Sequence, residues 1–290
     1  MRSNAAGYNL IAPPTLNAVL QALANEQGRY MPIAGGTELM VALAAGRLAQ
    51  TNLLSINHLK ELRFLEVTPD AVTLGSGTTF TDIRRSAVIA ADLSLLAQAA
   101  SWTGSIANQN RGTLGGNIVN GSPAADSPPA LLAYDAAVTL ISARGTRTLP
   151  YREFHLGYKK SALAPDELLF SICIERRFSG YRSYIRKVGT RNAQAISKVA
   201  LAGLALMSEG DQRVVQDIRI GAASLCETPI RCTAAERSIL NRAITAETIA
   251  AARTALASEA RPIDDIRSTA KYRAAVAANL LEEFLRSLTS

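Results

Sequence analysis

The sequence predicts an α+β protein, and three observations carry that expectation. The first 56 residues read as helix, strand, glycine turn, helix and strand, a small βαβ-like unit. A mixed region of short strands and helices follows. The last third then changes character, with two alternating strands succeeded by three helical patterns. The chain has 290 residues, of which 48% are apolar and 19% charged, so it can bury a sizeable core without disulfides or metal staples.

The elements follow in order. Thr15 is placed to cap a helix in which Leu16, Val19, Leu20, Leu23 and Ala24 recur at helical spacing. Tyr30 to Ala34 reads as a short strand, and Pro32 directs it to a sheet edge. Gly35, Gly36 and Thr37 break the chain, Glu38 to Ala45 reads as helix, and Leu53 to Ile56 as a second strand. Val72 to Gly75 is expected to be a strand, with helices over Thr81 to Ile89 and Leu93 to Ala100. Residues 103–128 are rich in Gly, Asn, Ser and Pro and lack any period, which marks a long loop, too long to be idle in a compact domain and so either functional or disordered. Val138 to Ser142 and Leu168 to Ile174 read as strands. A hairpin joins Val199–Met207 to Val214–Ala222 through Ser208, Glu209, Gly210 and Asp211, and helices span Ala234–Leu240, Ala246–Leu256 and Thr269–Leu288. Divisions fall after residues 56 and 178, giving segments 1–56, 57–178 and 179–290.

The net charge is +7, from 31 basic and 24 acidic residues. The arginines are dispersed, without a basic block or interleaved aromatics, which speaks against nucleic-acid binding; most read as a solvated positive surface, with an anionic cofactor or a docking face for an acidic partner as the alternatives. No apolar run reaches the roughly 18 residues of a membrane span. The opening Met1 to Ala6 lacks a signal-peptide stretch, and Cys173, Cys226 and Cys232 form no disulfide framework, so a reducing cytoplasm is expected, with export on a partner's signal as the alternative. Those three cysteines, with His58 and His155 as the only histidines, also lack any metal-ligand spacing.

Two segments carry candidate chemistry. In Pro32-Ile33-Ala34-Gly35-Gly36-Thr37-Glu38-Leu39 a strand ends in two glycines and a helix begins. Successive N–H groups can turn toward one point with no Cβ in the way, Thr37 adds a hydroxyl, and the helix start adds positive character. Such a cradle suits a pyrophosphate. Thr113-Leu114-Gly115-Gly116-Asn117 repeats the pattern, with Asp126 beyond it. Gly75-Ser76-Gly77-Thr78-Thr79-Phe80 approaches the dinucleotide fingerprint and fails at the third glycine. One glycine pair is an ordinary turn; two in one chain point to a ligand with two phosphates.

Together, Ala34-Gly35-Gly36-Thr37 and Thr113-Leu114-Gly115-Gly116-Asn117 resemble the FAD-binding subunits of molybdenum hydroxylases, the carbon monoxide dehydrogenase and xanthine dehydrogenase type. The resemblance continues in Gly157-Tyr158-Lys159-Lys160, Leu163 to Leu169, Lys187 to Arg191 with Ile196 to Val199, and Tyr272-Arg273. It implies a two-lobed FAD-binding domain of the PCMH type, followed by a C-terminal domain with a small three-stranded antiparallel sheet and a helical bundle. It implies FAD contacts at Pro32, Ile33, Ala34, Gly35, Gly36, Thr37, Glu38, Leu39, Thr113, Leu114, Gly115, Gly116 and Asn117. Asp126 matches an aspartate on the adenosine side, Lys187 a cofactor-contacting lysine, Phe170 a leucine contact, and Thr103 a flavin-stacking phenylalanine, so stacking is not expected there.

The resemblance further implies a relay of electrons from two [2Fe–2S] clusters of a small partner subunit through FAD to an external acceptor. A large molybdopterin subunit carries the hydroxylation, and the whole forms a dimer of heterotrimers. No residue of this chain is then catalytic, and no metal binds to it. The extra iron–sulfur cluster of one subfamily is not expected, since no cysteine precedes Cys173. A self-contained flavin oxidase of related fold and a flavin-less assembly subunit are the alternatives. The intact Gly35, Gly36, Gly115 and Gly116 oppose the latter.

Overall fold

The computed structural model describes residues 7–191, 194–210 and 213–289. Three sheets follow one another along the chain. In the first, β1 (Asn9–Ile11), β3 (Asn52–Ser55) and β2 (Met31–Ile33) lie parallel in the order β1-β3-β2. Helix α1 (Leu16–Asn25) is capped by Thr15, whose hydroxyl accepts from Ala18 N, and it buries Val19, Leu20 and Leu23 against Leu54, Leu59 and Leu62. Pro32 sits on an edge strand, as its missing N–H requires. Helix α2 (Leu39–Ala44) follows β2 and buries none of its side chains.

The second sheet is antiparallel, with β4 (Leu65–Val67), β5 (Ala71–Gly75), β6 (Ala137–Ser142), β7 (Gly145–Pro150) and β10 (Leu168–Glu175) in the order β4-β5-β10-β6-β7. A small hairpin of β8 (His155–Gly157) and β9 (Lys160–Ser161) lies between β7 and β10 in sequence. Helices α3 (Phe80–Arg85), α4 (Ala87–Asp92), α5 (Ser94–Trp102), α6 (Ile106–Gln109), α7 (Leu114–Val119) and α8 (Pro128–Ala133) are inserted between β5 and β6. Their apolar faces and those of β5, β6 and β10 form the largest core, which includes Leu74, Ile83, Leu96, Leu114, Ile118 and Ile172.

Two expectations are corrected here. The helix read over residues 81–89 is two helices: Ser86 leaves helical geometry, ends α3 and caps α4 through its hydroxyl. The unperiodic stretch 103–128 is not one loop, because Ser105 and Thr113 each cap a short helix within it. Gly115 and Gly116 therefore lie in the first turn of α7.

The third sheet contains β11 (Arg182–Val188), β12 (Val199–Met207), β13 (Val215–Ala223) and β14 (Ile230–Arg231), all antiparallel. It has four strands where three were expected; the fourth is a two-residue edge. In the turn expected between β12 and β13, Ser208 N donates to Val214 O, while Asp211 lies outside the described residues. Helices α9 (Thr233–Ile239), α10 (Ala246–Glu259) and α11 (Ala270–Ser287) cover this sheet with a second core. The two cores adjoin: α8 is wholly buried and packs on β12 and β13, and Ile185, Ala202 and Leu204 belong to the larger core. Among the described residues no helix is long and apolar enough to cross a membrane.

Candidate functional site

Pro32 and Ile33 end β2, and Ala34 to Glu38 form an open turn into α2, with Leu39 as its first residue. Gly36 takes φ +73°, which glycine adopts without strain. Among the described residues, nothing in the protein accepts from the backbone N–H groups of Gly35, Gly36, Thr37 or Glu38. Thr37 and Glu38 are exposed, and the Glu38 side chain does not cap α2. Helix α2 has six residues, so the cradle depends on these local N–H groups and not on a long helix dipole.

The second glycine segment has a different character. Leu114 N donates to Thr78 O, Gly115 N to Ser76 O, Gly116 N to the Thr113 hydroxyl and Asn117 N to Thr113 O. Its N–H groups are thus spent within the fold. What it offers outward is space: Gly116 is exposed, and a Cβ there would meet only Thr113 Oγ1, at 3.0 Å. Gly115 faces inward, where a Cβ would come within 2.5 Å of Ser76. The Gly75–Thr79 segment is therefore the scaffold of this loop, a role its near-miss to a phosphate motif did not disclose.

The two glycine segments touch. A Cβ on Gly35 would overlap the carbonyl oxygen of Arg111, one residue before Gly112. The Thr37 hydroxyl lies 3.5 Å from where a Gly112 Cβ would stand. Asn110 accepts from Thr81, and the Asn108 carbonyl accepts from Arg111 and Gly112, so both asparagines hold the loop. The Arg111 side chain stays exposed.

Asp126 and Lys187 come from segments far apart in sequence and pair with each other at 2.7 Å, both side chains about nine-tenths buried. Ser197 Oγ donates to the other Asp126 oxygen at 2.8 Å, and Lys187 Nζ also donates to Trp102 O at 3.2 Å. Burial pushes the Asp126 carboxyl above its ordinary range, against the pull of Lys187 and Ser197. The lysine keeps one N–H of its three. Ser127 Oγ donates to Asn117 Oδ1 at 2.6 Å, which ties this pair to the second glycine loop.

Thr103 ends α5 and donates to Ala99 O at 2.9 Å; it has no ring to stack. Phe170 sits at the irregularity between Leu169 and Ser171 in the β10–β6 ladder. Its carbonyl accepts from Ser76 N, and its ring lies 5.7 Å from that of Phe64. His58 bonds Pro13 O and His155 bonds the Tyr151 hydroxyl, so both serve local structure. Among the described residues no cluster of His, Cys, Asp and Glu could hold a metal ion.

The surroundings fit an extended phosphate-bearing cofactor. The first glycine turn supplies free N–H groups, the second leaves an exposed position without a side chain at Gly116, and the Asp126–Lys187 pair is tied to that second loop through Ser127 and Asn117. Sequence comparison agrees. The FAD binding domain in molybdopterin dehydrogenase matches residues 6–174, and the CO dehydrogenase flavoprotein C-terminal domain matches residues 184–288. The chain belongs to the family of FAD-binding medium subunits of molybdopterin hydroxylases, of the carbon monoxide dehydrogenase and xanthine dehydrogenase type. It is 28% identical to the carbon monoxide dehydrogenase medium chain of Hydrogenophaga pseudoflava, over 95% of each chain. It is 30% identical to the xanthine dehydrogenase FAD-binding subunit of Escherichia coli O157:H7, over 89% of this chain and 88% of that one. Its fold superposes, with a TM-score of 0.90 over 95% of each chain, on carbon monoxide dehydrogenase from Hydrogenophaga pseudoflava lacking the Mo-pyranopterin moiety of its cofactor.

Proposed function

We propose that this chain holds FAD across the two glycine loops and serves as the electron-transfer subunit of a molybdenum hydroxylase. Electrons enter from two [2Fe–2S] clusters of a small partner subunit and leave to an external acceptor. A large molybdopterin subunit performs the hydroxylation, and the assembly is a dimer of heterotrimers. The observation that carries this reading is the row of free N–H groups at Gly35 to Glu38 facing the backbone of Arg111 and Gly112. Relatives described as a medium chain and as an FAD-binding subunit support its place in a larger assembly.

FAD, when bound, supplies the redox chemistry. The chain's own residues bind and orient it. Gly35 to Glu38 donate to the pyrophosphate, with Pro32, Ile33, Ala34 and Leu39 shaping the turn that aims them. Gly116 and Asn117 form the side of the second loop that meets the cofactor, Thr113, Leu114 and Gly115 hold that loop from within, and Phe170 contributes apolar surface beside the Gly75–Thr79 scaffold. Lys187 presents its remaining N–H and Asp126 its remaining lone pairs, so the two act on the cofactor as a unit. The segments 1–56, 57–178 and 179–290 are part of the same proposal. Their support is that β3 ends at Ser55, β10 at Glu175, and β11 begins at Arg182.

Reconstitution tests it. The FAD-loaded chain is mixed with its iron–sulfur and molybdopterin subunits, and the flavin band is followed after adding the reducing substrate. Bleaching that requires both partners is the expected result. Rapid bleaching of the isolated chain by organic substrate would overturn the relay and favour a self-contained oxidase.

A further inference from the structure

We propose that Arg273, on α11, is a positioning residue for the Asp126–Lys187 pair, holding it in the geometry that meets the cofactor. This rests on the reading above that the pair contacts FAD. Arg273 is 2% exposed, although arginine is rarely buried. One arm of its guanidinium donates to Lys198 O at 2.7 Å, and it lies 3.5 Å from Ser224 O. The other arm donates to Asp265 at 2.7 Å. Its Nε is buried with no partner among the described residues.

A buried charge so arranged is a poor source of stability, because the cost of desolvation offsets most of the attraction. What the arginine does fix is backbone. Lys198 follows Ser197, which is fully buried and donates to Asp126. Ser224 adopts φ +66°, costly for a residue with a Cβ. In that conformation its hydroxyl donates to Ser197 O at 3.1 Å and its N–H to Pro123 O at 2.7 Å. Arg273 and Ser224 thus pin both segments that set the Asp126 carboxylate, the 197–198 backbone and the turn leading from Pro123. Asp126 in turn fixes Lys187. The route from α11 to the Asp126–Lys187 pair is continuous, through hydrogen bonds joined by the 197–198 backbone, and it crosses from the C-terminal domain to the FAD-binding domain.

The test uses the full chain and FAD itself. Dissociation constants are measured by quenching of flavin fluorescence, and melting temperatures are measured without FAD. Arg273→Met is compared with Arg273→Lys, Ser197→Ala, Lys187→Met and Leu281→Ala, a core change on the same helix. Arg273→Met is expected to weaken FAD binding on the order of tenfold. Arg273→Lys should lose less, Ser197→Ala should move in the same direction, and Arg273→Met should cost clearly less on the Lys187→Met background than alone. Leu281→Ala should lower the melting temperature without moving the dissociation constant. Wild-type affinity in Arg273→Met and Ser197→Ala, or losses that add fully to that of Lys187→Met, would overturn the positioning role alone. Should Arg273→Met not fold, Arg273→Lys and Ser197→Ala decide the matter on the same criteria. Unchanged affinity in Lys187→Met would overturn the underlying cofactor contact, and this inference with it.

Discussion

Gly35 lies so close to the carbonyl oxygen of Arg111 that a methyl group on its Cα would overlap it. This contact joins the first glycine turn to the loop that leads into the second, and it sets how closely the two approach. Gly35→Ala must therefore push the loops apart. Overpacking of this kind costs about 1–3 kcal/mol. The expected outcome is a lower melting temperature together with weaker FAD binding, measured on the same preparation.

Asp135 is expected to clamp the FAD-binding and C-terminal domains. It follows α8, and its carboxylate accepts from Arg219 and Arg231, with Arg177 at 3.5 Å. Arg231 also bonds Glu236, whose other contact is Ile220 N at 2.6 Å. Asp135→Asn leaves two largely buried guanidinium groups short of negative charge. Hydrogen bonds to charged groups contribute about 1.5–3 kcal/mol, and the loss in denaturant unfolding should fall in that range. Unchanged stability would show that the cluster contributes little to the docking of α8 on β13.

His155 gives the protein a pH dependence with a definite sign. Burial lowers its pKa from 6.5 to about 4. The neutral ring bonds the hydroxyl of Tyr151, which is itself fully buried. As pH falls, the unfolded chain takes up the proton first, so this contribution is present above pH 6.5 and is lost between pH 6.5 and about 4. The carboxyls of Asp126 and Glu236, raised by burial, act in the opposite sense. The clean readout is a difference: melting temperature should fall less on acidification in His155→Gln than in the wild type.

Much of the architecture was legible in the sequence where one rule sufficed. Thr15 announced α1, Pro32 announced an edge strand, and the alternation at Val199–Met207 announced β12. The short elements were not legible. β1 has three residues and no buried one, and α7 has two glycines in its first turn, so neither carries a period. At the site, the glycine pairs stood out, yet their division of labour did not. That Gly35 and Gly115 serve packing, with no room for a Cβ, depends on Arg111 and Ser76, which approach only in the folded chain; Gly36 instead serves the turn through its φ of +73°, and Gly116 is exposed. The pairing of Asp126 with Lys187 is likewise set by sheet topology, and β11 carries no apolar alternation that would mark it as a strand.

The purified chain should contain no iron. Cys173, Cys226 and Cys232 are free, and Cys232 is fully buried with its thiol pushed well up by burial, the opposite of a metal-ligating thiolate. Metal analysis of a monodisperse sample checks this, and retained stoichiometric iron would refute it.

The most direct measurement is the FAD affinity of Gly116→Leu beside that of the wild type, with melting temperatures alongside. Gly116 is exposed and helical; leucine exceeds glycine in helix propensity by about 0.8 kcal/mol, set against a tight approach of the new Cβ to the Thr113 hydroxyl at 3.0 Å, so the two effects should nearly cancel in stability. On the proposed function, the side chain would project from the exposed face of the second glycine loop into the space the cofactor takes. The account predicts stoichiometric FAD in the wild type, and a variant that melts as the wild type does but comes off the column without flavin. Full FAD retention by Gly116→Leu, or a wild-type chain that binds no FAD, would contradict it.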